Sequence, residues 1–182
     1  MGWITPHSYV ATAKIMRAHG DLGGAAAVEE MLHGDQLALD RWIKQGEFMF
    51  RTDTGFDAEQ LAMLGAKAYM RAGGTIASTA DWDQLGDTET FAWCNVGNKV
   101  LHQLESEDGL KFSEVVRKIY GWWAMPQGKD PLEWDTLPME ERVAWEAATR
   151  HLAWCLNCDD AAEGHDVGMW EQWAKEQLER RK

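Results

Sequence analysis

The chain has 182 residues, of which 45% are hydrophobic and 26% are charged, a composition typical of globular domains that excludes a disordered or low-complexity chain. Eighteen basic residues against 30 acidic ones give a net charge of −12. Because no basic patch is concentrated anywhere along the chain, direct binding of nucleic acid is not expected. No apolar run approaches the ~18 residues of a membrane span, so no membrane association is expected either.

The N-terminus has neither the basic region nor the apolar core of a secretory signal. The chain has three cysteines, which cannot all pair within one monomer. Together these observations predict free thiols and a reducing, cytoplasmic location.

Helical periodicity extends through nearly every segment of the chain. The triplet His-Gly-Asp at residues 19–21 recurs at 33–35, and it predicts a helix end followed by the capped start of another helix. Residues 57–71 have a clear helical period, which the glycines at 73–74 end. The last helix is predicted over about residues 166–181. The sequence therefore predicts an all-α, compact bundle of about seven to eight helices.

The strongest internal signal is a twelve-residue segment that recurs at a single offset of 52 residues, with six identical positions. We interpret the copies as a divergent duplicated unit, residues 82–101 and 134–153, in which a Trp enters a turn and a helix follows. Asp87 or Thr88 is expected to cap the helix of the first copy, and Asp135 or Thr136 that of the second, with Pro138 in its first turn. The identical pairs are Trp82 and Trp134, Asp83 and Asp135, Leu85 and Leu137, Glu89 and Glu141, Ala92 and Ala144, and Trp93 and Trp145.

Tryptophan is distributed unevenly, because nine of the eleven tryptophans follow residue 80. The change in composition falls at about residues 74–80. It predicts an N-terminal helical subdomain at 1–74 and a Trp-rich helical subdomain at 81–182, which contains both copies of the repeat and shares one core with the first.

Four tryptophans are candidate exposed binding residues: Trp82, Trp122, Trp123 and Trp134. Side chains of adjacent helical residues point about 100° apart, so one member of the Trp122-Trp123 pair can be buried while the other faces a partner. Trp is favoured at interaction hot spots, which supports a binding role. The alternative is that all the tryptophans fill the core, since aromatic side chains dominate cores as readily as interfaces.

The residues His151, Cys155, Cys158 and His165 are zinc-ligand types at zinc-like separations. On a continuous helix His151 and Cys158 would lie about 10.5 Å apart, so one ion could bind all four only if the helix broke near Asn157. Otherwise the two cysteines are small buried groups on a helix face. No cofactor is expected, and zinc is the one candidate.

No phosphate-binding loop, nucleophile elbow or His-Glu-x-x-His helix is present, so no catalysis is expected. A zinc-dependent hydrolase, which would depend on the four zinc-type residues, is the only enzymatic alternative.

The segment at residues 131–138, Pro-Leu-Glu-Trp-Asp-Thr-Leu-Pro, is followed by Arg142, Ala144 and Trp145. It resembles short helical segments of small bacteriophage-encoded proteins and the final part of ryanodine-receptor-repeat modules. The resemblance covers about fifteen residues of the chain. It implies an accessory protein of a phage or mobile element, which would act in the cytoplasm of the host cell.

These observations predict a non-enzymatic binding protein with an acidic, Trp-containing surface. In a phage it would inhibit a host defence complex, as anti-CRISPR and anti-restriction proteins do, and its partner would be a protein with a basic or nucleic-acid-binding surface. Two alternatives stay open: a binder of a nucleotide signal that stacks on Trp, and a structural or assembly component of a virion. A homo-oligomer is compatible with each of the three.

Overall fold

A computed structural model describes residues 15–27, 56–74, 81–103, 111–156 and 169–182 of the chain. Within these ranges every regular element is a helix and there is no strand, which confirms the predicted all-α fold. No helix in the described ranges is both long enough and apolar enough to cross a membrane. The main elements are α1 (Ala58–Arg71), η1 (Trp82–Gln84), α2 (Asp87–Gln103), α3 (Phe112–Ala124), η2 (Met125–Gln127), η3 (Pro131–Thr136), α4 (Met139–Leu156) and α5 (Met169–Arg180), where η denotes a 3₁₀ helix.

Helix α1 begins and ends as its sequence predicts. The Asp57 carboxylate accepts a hydrogen bond from the Gln60 N–H at 2.8 Å, and the Gln60 side chain accepts one from the Asp57 N–H at 2.9 Å, which together form a capping box. At the other end Gly73 has φ +91°, and the Gly74 N–H donates to the Tyr69 carbonyl at 3.0 Å. This is the hydrogen-bond pattern of a Schellman motif, which requires a left-handed residue such as glycine.

The predicted helix end at residues 19–21 is also present. Residues 15–18 and 22–27 are helical, and Gly20 between them has φ +80°. The Asp21 carboxylate accepts a hydrogen bond from the Gly24 N–H at 2.9 Å, as a cap at the start of a helix does. The second triplet, at residues 33–35, lies outside the described residues.

The two copies of the repeated segment adopt the same local backbone. In each copy a 3₁₀ helix ends at a Leu with extended backbone, with φ −63° and ψ 139° at Leu85 and φ −63° and ψ 141° at Leu137. The Leu85 N–H donates to the Trp82 carbonyl, and the Leu137 N–H donates to the Trp134 carbonyl, each at 3.2 Å. An α-helix follows in both copies, so identical residues at equivalent positions form the same local structure.

Neither copy is capped by the residues predicted. The helix of the second copy, α4, begins directly after Pro138, whose carbonyl accepts a hydrogen bond from the Arg142 N–H at 3.1 Å. The Thr90 N–H donates to the Gly86 carbonyl at 2.9 Å, so α2 begins directly after Gly86. Asp87 is the first helical residue, where its negative charge interacts favourably with the helix dipole.

Helix α4 is the central helix of the bundle. It packs against α1, α3 and α5, and thirteen of its eighteen residues are buried. Helix α1 in turn packs against α2 and α4, so residues 56–74 share a core with the Trp-rich part.

The core is dominated by aromatic rings that surround Trp145, which is fully buried in α4. Its ring stacks on that of Trp93, with centroids 5.1 Å apart and planes at 21°. It also contacts Tyr69 at 4.6 Å, Trp123 at 5.2 Å and Tyr120 at 5.5 Å between centroids. Since Trp93 and Trp145 occupy equivalent positions of the repeat, the two copies contact each other at the centre of the bundle through equivalent tryptophans.

Candidate interaction surface

Two of the four tryptophans predicted to be exposed are core residues. Trp123 is 1% exposed and Trp134 is 8% exposed, so the expectation of a surface position is wrong for both. The physical reason is that their rings pack against Tyr120 at 6.1 and 5.6 Å between centroids, and burial of large rings is strongly favourable. Trp82 and Trp122 are half-buried and pack against the same core, so the adjacent pair does place one ring inside and one nearer the surface.

Two of the four predicted zinc ligands lie within the described residues, where they belong to a buried hydrogen-bonded group. His151 and Cys155 are fully buried, and Cys158 and His165 lie outside the described residues. The Trp170 indole N–H donates to His151 Nδ1 at 2.9 Å, and His151 Nε2 lies 3.6 Å from the Cys155 Sγ. Since Nδ1 accepts a hydrogen bond, the proton of the neutral ring is assigned to Nε2, on the side of the thiol.

This arrangement constrains metal binding, because a zinc ion needs a ring nitrogen with a lone pair directed at the metal. A zinc ion could bind His151 Nε2 only if that nitrogen lost its proton. It could bind Nδ1 only if the Trp170 indole no longer donated its hydrogen bond there. Within the part of the chain that the structure describes, no group of three or more His, Cys, Asp or Glu side chains is arranged to hold a metal ion. The zinc site stays a prediction, since it depends on Cys158 and His165.

Large apolar side chains are exposed where the N-terminal half of α2 meets the C-terminal end of α3. The Asn95 side-chain amide donates to the Trp122 carbonyl at 2.7 Å, which joins the two helices there, and α2 also packs against η2. Phe91 is one turn before Asn95, so it lies on the same side of α2 as the residue that contacts α3. Phe91 is 66% exposed and Met125, the first residue of η2, is 62% exposed.

Leu132 brings a third exposed apolar side chain to this end of α3. Helix η3 packs against α3, and the Cβ of Pro131 lies 3.6 Å from the position that a Cβ on Gly121 would occupy. The next residue, Leu132, is 80% exposed. We call the surface formed by Phe91, Met125 and Leu132 the acidic–apolar face.

Three exposed carboxylates border these apolar residues. Asp87 lies one turn before Phe91 on α2, and Asp130 and Glu133 flank Leu132. The only base within residues 125–133 is Lys129, whose Nζ lies 4.3 Å from the centroid of the Trp123 ring. The face therefore combines an apolar centre with a negative border, because three carboxylates outnumber one ammonium.

The remaining titratable groups in the core are structural. The Tyr69 hydroxyl donates to the Glu141 carboxylate at 2.6 Å, and Glu141 is 2% exposed. Burial, and to a smaller extent the negative charge of Glu59, raises the pKa of the Cys94 thiol. A thiol with a raised pKa forms less thiolate at neutral pH.

No family model matches this chain, and neither a search of curated proteins nor a search of solved structures finds a match.

Reasoning from the sequence missed the exposed apolar residues, because it treated Trp as the marker of a binding surface. The repeat shows a difference at one pair of positions, but only the structure gives it a meaning. Phe91 occupies the position that Val143 occupies in the second copy, and Val143 is fully buried while Phe91 is exposed. A large aromatic residue at the exposed member of an equivalent pair indicates a surface that a partner could cover.

Proposed function

We propose that this chain is a non-enzymatic binding protein that docks on a protein partner through the acidic–apolar face. The observation that carries the proposal is the exposure of Phe91, Met125 and Leu132 at one end of α3. Single exposed apolar residues are common, but three of them on neighbouring elements with an acidic border are typical of an interaction site.

The partner that this face fits best is a protein with a basic surface. The carboxylates of Asp87, Asp130 and Glu133 would attract positive charge, and the chain as a whole carries −12. A second copy of the chain is a poorer fit, because the acidic border of one copy would meet the same border of the other. Nucleic acid would be repelled by the same charge.

A basic protein surface that normally binds nucleic acid is the specific target we propose. In the phage or mobile-element context that the segment at 131–145 implies, such a surface would belong to a host defence complex of the type that anti-CRISPR or anti-restriction proteins inhibit. A role as a component of virion assembly is the alternative, in which the same face would contact another virion protein. Stacking of a nucleotide signal on Trp123 or Trp134 has less support, because both rings are in the core.

The proposal is tested by quantitative affinity capture from the cells that produce the protein, at low and moderate salt. The face variant is Phe91→Ser with Leu132→Ser. The matched control is Leu22→Ser with Ile15→Ser, which removes two apolar side chains that are 69% and 60% exposed and are not among the residues that define the face. We expect the wild type and the control to retain the same protein and the face variant to lose it.

The charge component has its own test. Asp87→Asn with Glu133→Gln should weaken retention of the same partner, and added salt should weaken the wild type in the same direction, because salt screens exposed charges. If the face variant retains every protein that the wild type retains, the proposed function is wrong.

A further inference from the structure

A second surface feature lies on the N-terminal half of α3. It is a groove of about 380 Å³ between α3, α4 and the C-terminal end of the chain. Its apolar wall is formed by Phe112, Val116, Trp134 and Met139. Pockets that hold small ligands have volumes of about 300–1,000 Å³. This groove is more polar than most of them, because five of its ten lining side chains are charged.

Four of the nine arginines of the chain line this groove: Arg117, Arg142, Arg150 and Arg181. The carboxylates among them are Glu146, which also lines the groove, and Asp135, which pairs with Arg117. Among the described residues, four arginines therefore meet two carboxylates at this groove. Such a concentration of arginine contrasts with the net charge of −12 of the whole chain.

Arg142 is held in place by uncharged groups. It donates from Nε to the Leu137 carbonyl at 3.1 Å and from Nη2 to the Asp135 carbonyl at 2.6 Å. An arginine has five N–H donors, so three remain available on Arg142, and no carboxylate in the described ranges lies within ion-pair distance of it.

Arg150 lies between two rings. The central carbon of its guanidinium is 5.2 Å from the Phe112 centroid and 5.0 Å from the Trp173 centroid. Contacts of a guanidinium with aromatic faces hold its plane, and its edge is the part that contacts planar anions. Both guanidiniums are thus oriented before any ligand arrives, which lowers the entropic cost of binding.

The other two arginines form ion pairs at the rim. Arg117 binds Asp135 at 2.7 Å, and both side chains are more than half exposed. Arg181 binds both oxygens of Glu146, at 2.9 and 2.8 Å. Exposed ion pairs contribute little stability, so an incoming anion can share the Arg117 guanidinium at little cost.

We propose that this groove binds a small amphiphilic anion, in which a phosphate or carboxylate contacts the guanidiniums and an apolar body lies against Phe112, Val116 and Met139. Planar guanidiniums favour these two groups because they can donate two parallel hydrogen bonds to them. The inference does not depend on the protein partner proposed above.

Isothermal titration calorimetry at low salt tests the inference with four probes: phenyl phosphate, benzoate, inorganic phosphate and benzyl alcohol. We expect phenyl phosphate or benzoate to bind at least about tenfold more tightly than inorganic phosphate or benzyl alcohol, because only the first two have both an anion and a ring. The better of the two identifies the anionic group. If neither aromatic anion binds, or if inorganic phosphate binds equally well, the inference is wrong.

Variants locate the site. Arg117→Gln with Arg181→Gln should weaken the best probe by about tenfold, since it removes two of the four positive charges that line the groove. Arg71→Gln with Arg180→Gln is the matched control, since it removes the same charge from two exposed arginines outside the groove and should leave the affinity unchanged. Equal weakening in both double variants would show attraction to net charge alone, and would overturn the proposal.

A measurement on the unmodified protein removes any dependence on the folding of the variants. In nuclear magnetic resonance spectra of the arginine Nε–H groups, the best probe should shift Arg142 and Arg150 and leave Arg71 and Arg180 in place. Shifts confined to Arg71 and Arg180 would contradict the proposed site.

Discussion

The packing of α1 on α2 makes Gly97 the most demanding position of the fold. A Cβ on Gly97 would overlap the carbonyl oxygen of Ala58, and it would lie 3.0 Å from both the Ala58 carbonyl carbon and the Ala62 nitrogen. These are backbone atoms of α1, so they cannot rotate away as a side chain could. In Gly97→Ala the two helices would have to separate, and the core between them would lose contacts.

The change in the free energy of unfolding caused by Gly97→Ala follows from two opposing effects. Forcing an additional carbon into a packed core costs about 1–3 kcal/mol. Replacing glycine with alanine inside a helix returns about 0.5–1 kcal/mol. Because the overlap at Gly97 is with backbone, we expect the upper part of the first range, and a net loss of about 2 kcal/mol in the free energy of unfolding.

Gly121→Ala is the matched control, since Gly121 is also a buried glycine within an α-helix. The nearest atom that a Cβ at this position would meet is the Pro131 Cβ at 3.6 Å, which is an ordinary contact. This variant should therefore gain about 0.5–1 kcal/mol. Gly65→Ala should fall between the two, because its Cβ would lie 3.2 Å from atoms of Leu152 and Trp93.

Urea unfolding followed by tryptophan fluorescence and by circular dichroism measures all three variants on one scale. The predicted order of stability is Gly121→Ala above the wild type, and Gly97→Ala at the bottom. Equal stability of Gly97→Ala and Gly121→Ala would refute the reasoning, since it would mean that α1 and α2 do not approach closely at Ala58.

Three further predictions concern the core. Tyr69→Phe should lower the free energy of unfolding by about 1–3 kcal/mol in urea titrations, because buried Glu141 loses a 2.6 Å hydrogen bond, and an unchanged midpoint would contradict this. Trp145→Phe should cost about 1–3 kcal/mol and reduce the near-ultraviolet circular dichroism of the stacked rings, whereas an unchanged spectrum would place that ring elsewhere. The rate of alkylation of Cys94, measured by mass spectrometry, should be lower at pH 8 than that of a model thiol, because burial and Glu59 raise the pKa of Cys94. The rate should also rise more steeply than that of the model thiol above pH 9. Equal rates at pH 8 would argue against that environment.

Much of the fold is predictable from the sequence because its signals are local. The bounds of α1 follow from Asp57, Gln60 and the glycines at 73–74, all of which act within a few residues of the helix ends. The shared 3₁₀ helix of the two repeat copies follows in the same way from equal residues at equal spacing. The stacking of Trp93 on Trp145 depends on how α2 and α4 pack, which no local pattern specifies.

The candidate surfaces are less predictable, because they depend on residues far apart in the chain. Local sequence does not tell whether Trp123 fills a core or faces a partner, since both environments favour Trp. Arg117 and Arg181 are 64 residues apart, and only the packing of α3 and α5 against α4 brings them to one groove. Part of that groove was recognisable in the sequence, because Arg142 and Arg150 are eight residues apart and so lie on one side of a helix.

The most direct test of the central claim is site-specific photo-crosslinking in the cells that produce the protein. A benzoylphenylalanine in place of Leu132 would report on the acidic–apolar face. The same group in place of Gln172, an exposed residue of α5, would report on a surface outside the face. We predict a covalent adduct with a basic protein from position 132 and no such adduct from position 172. Adducts with the same protein from both positions, or crosslinks from position 132 only to this chain itself, would contradict the account.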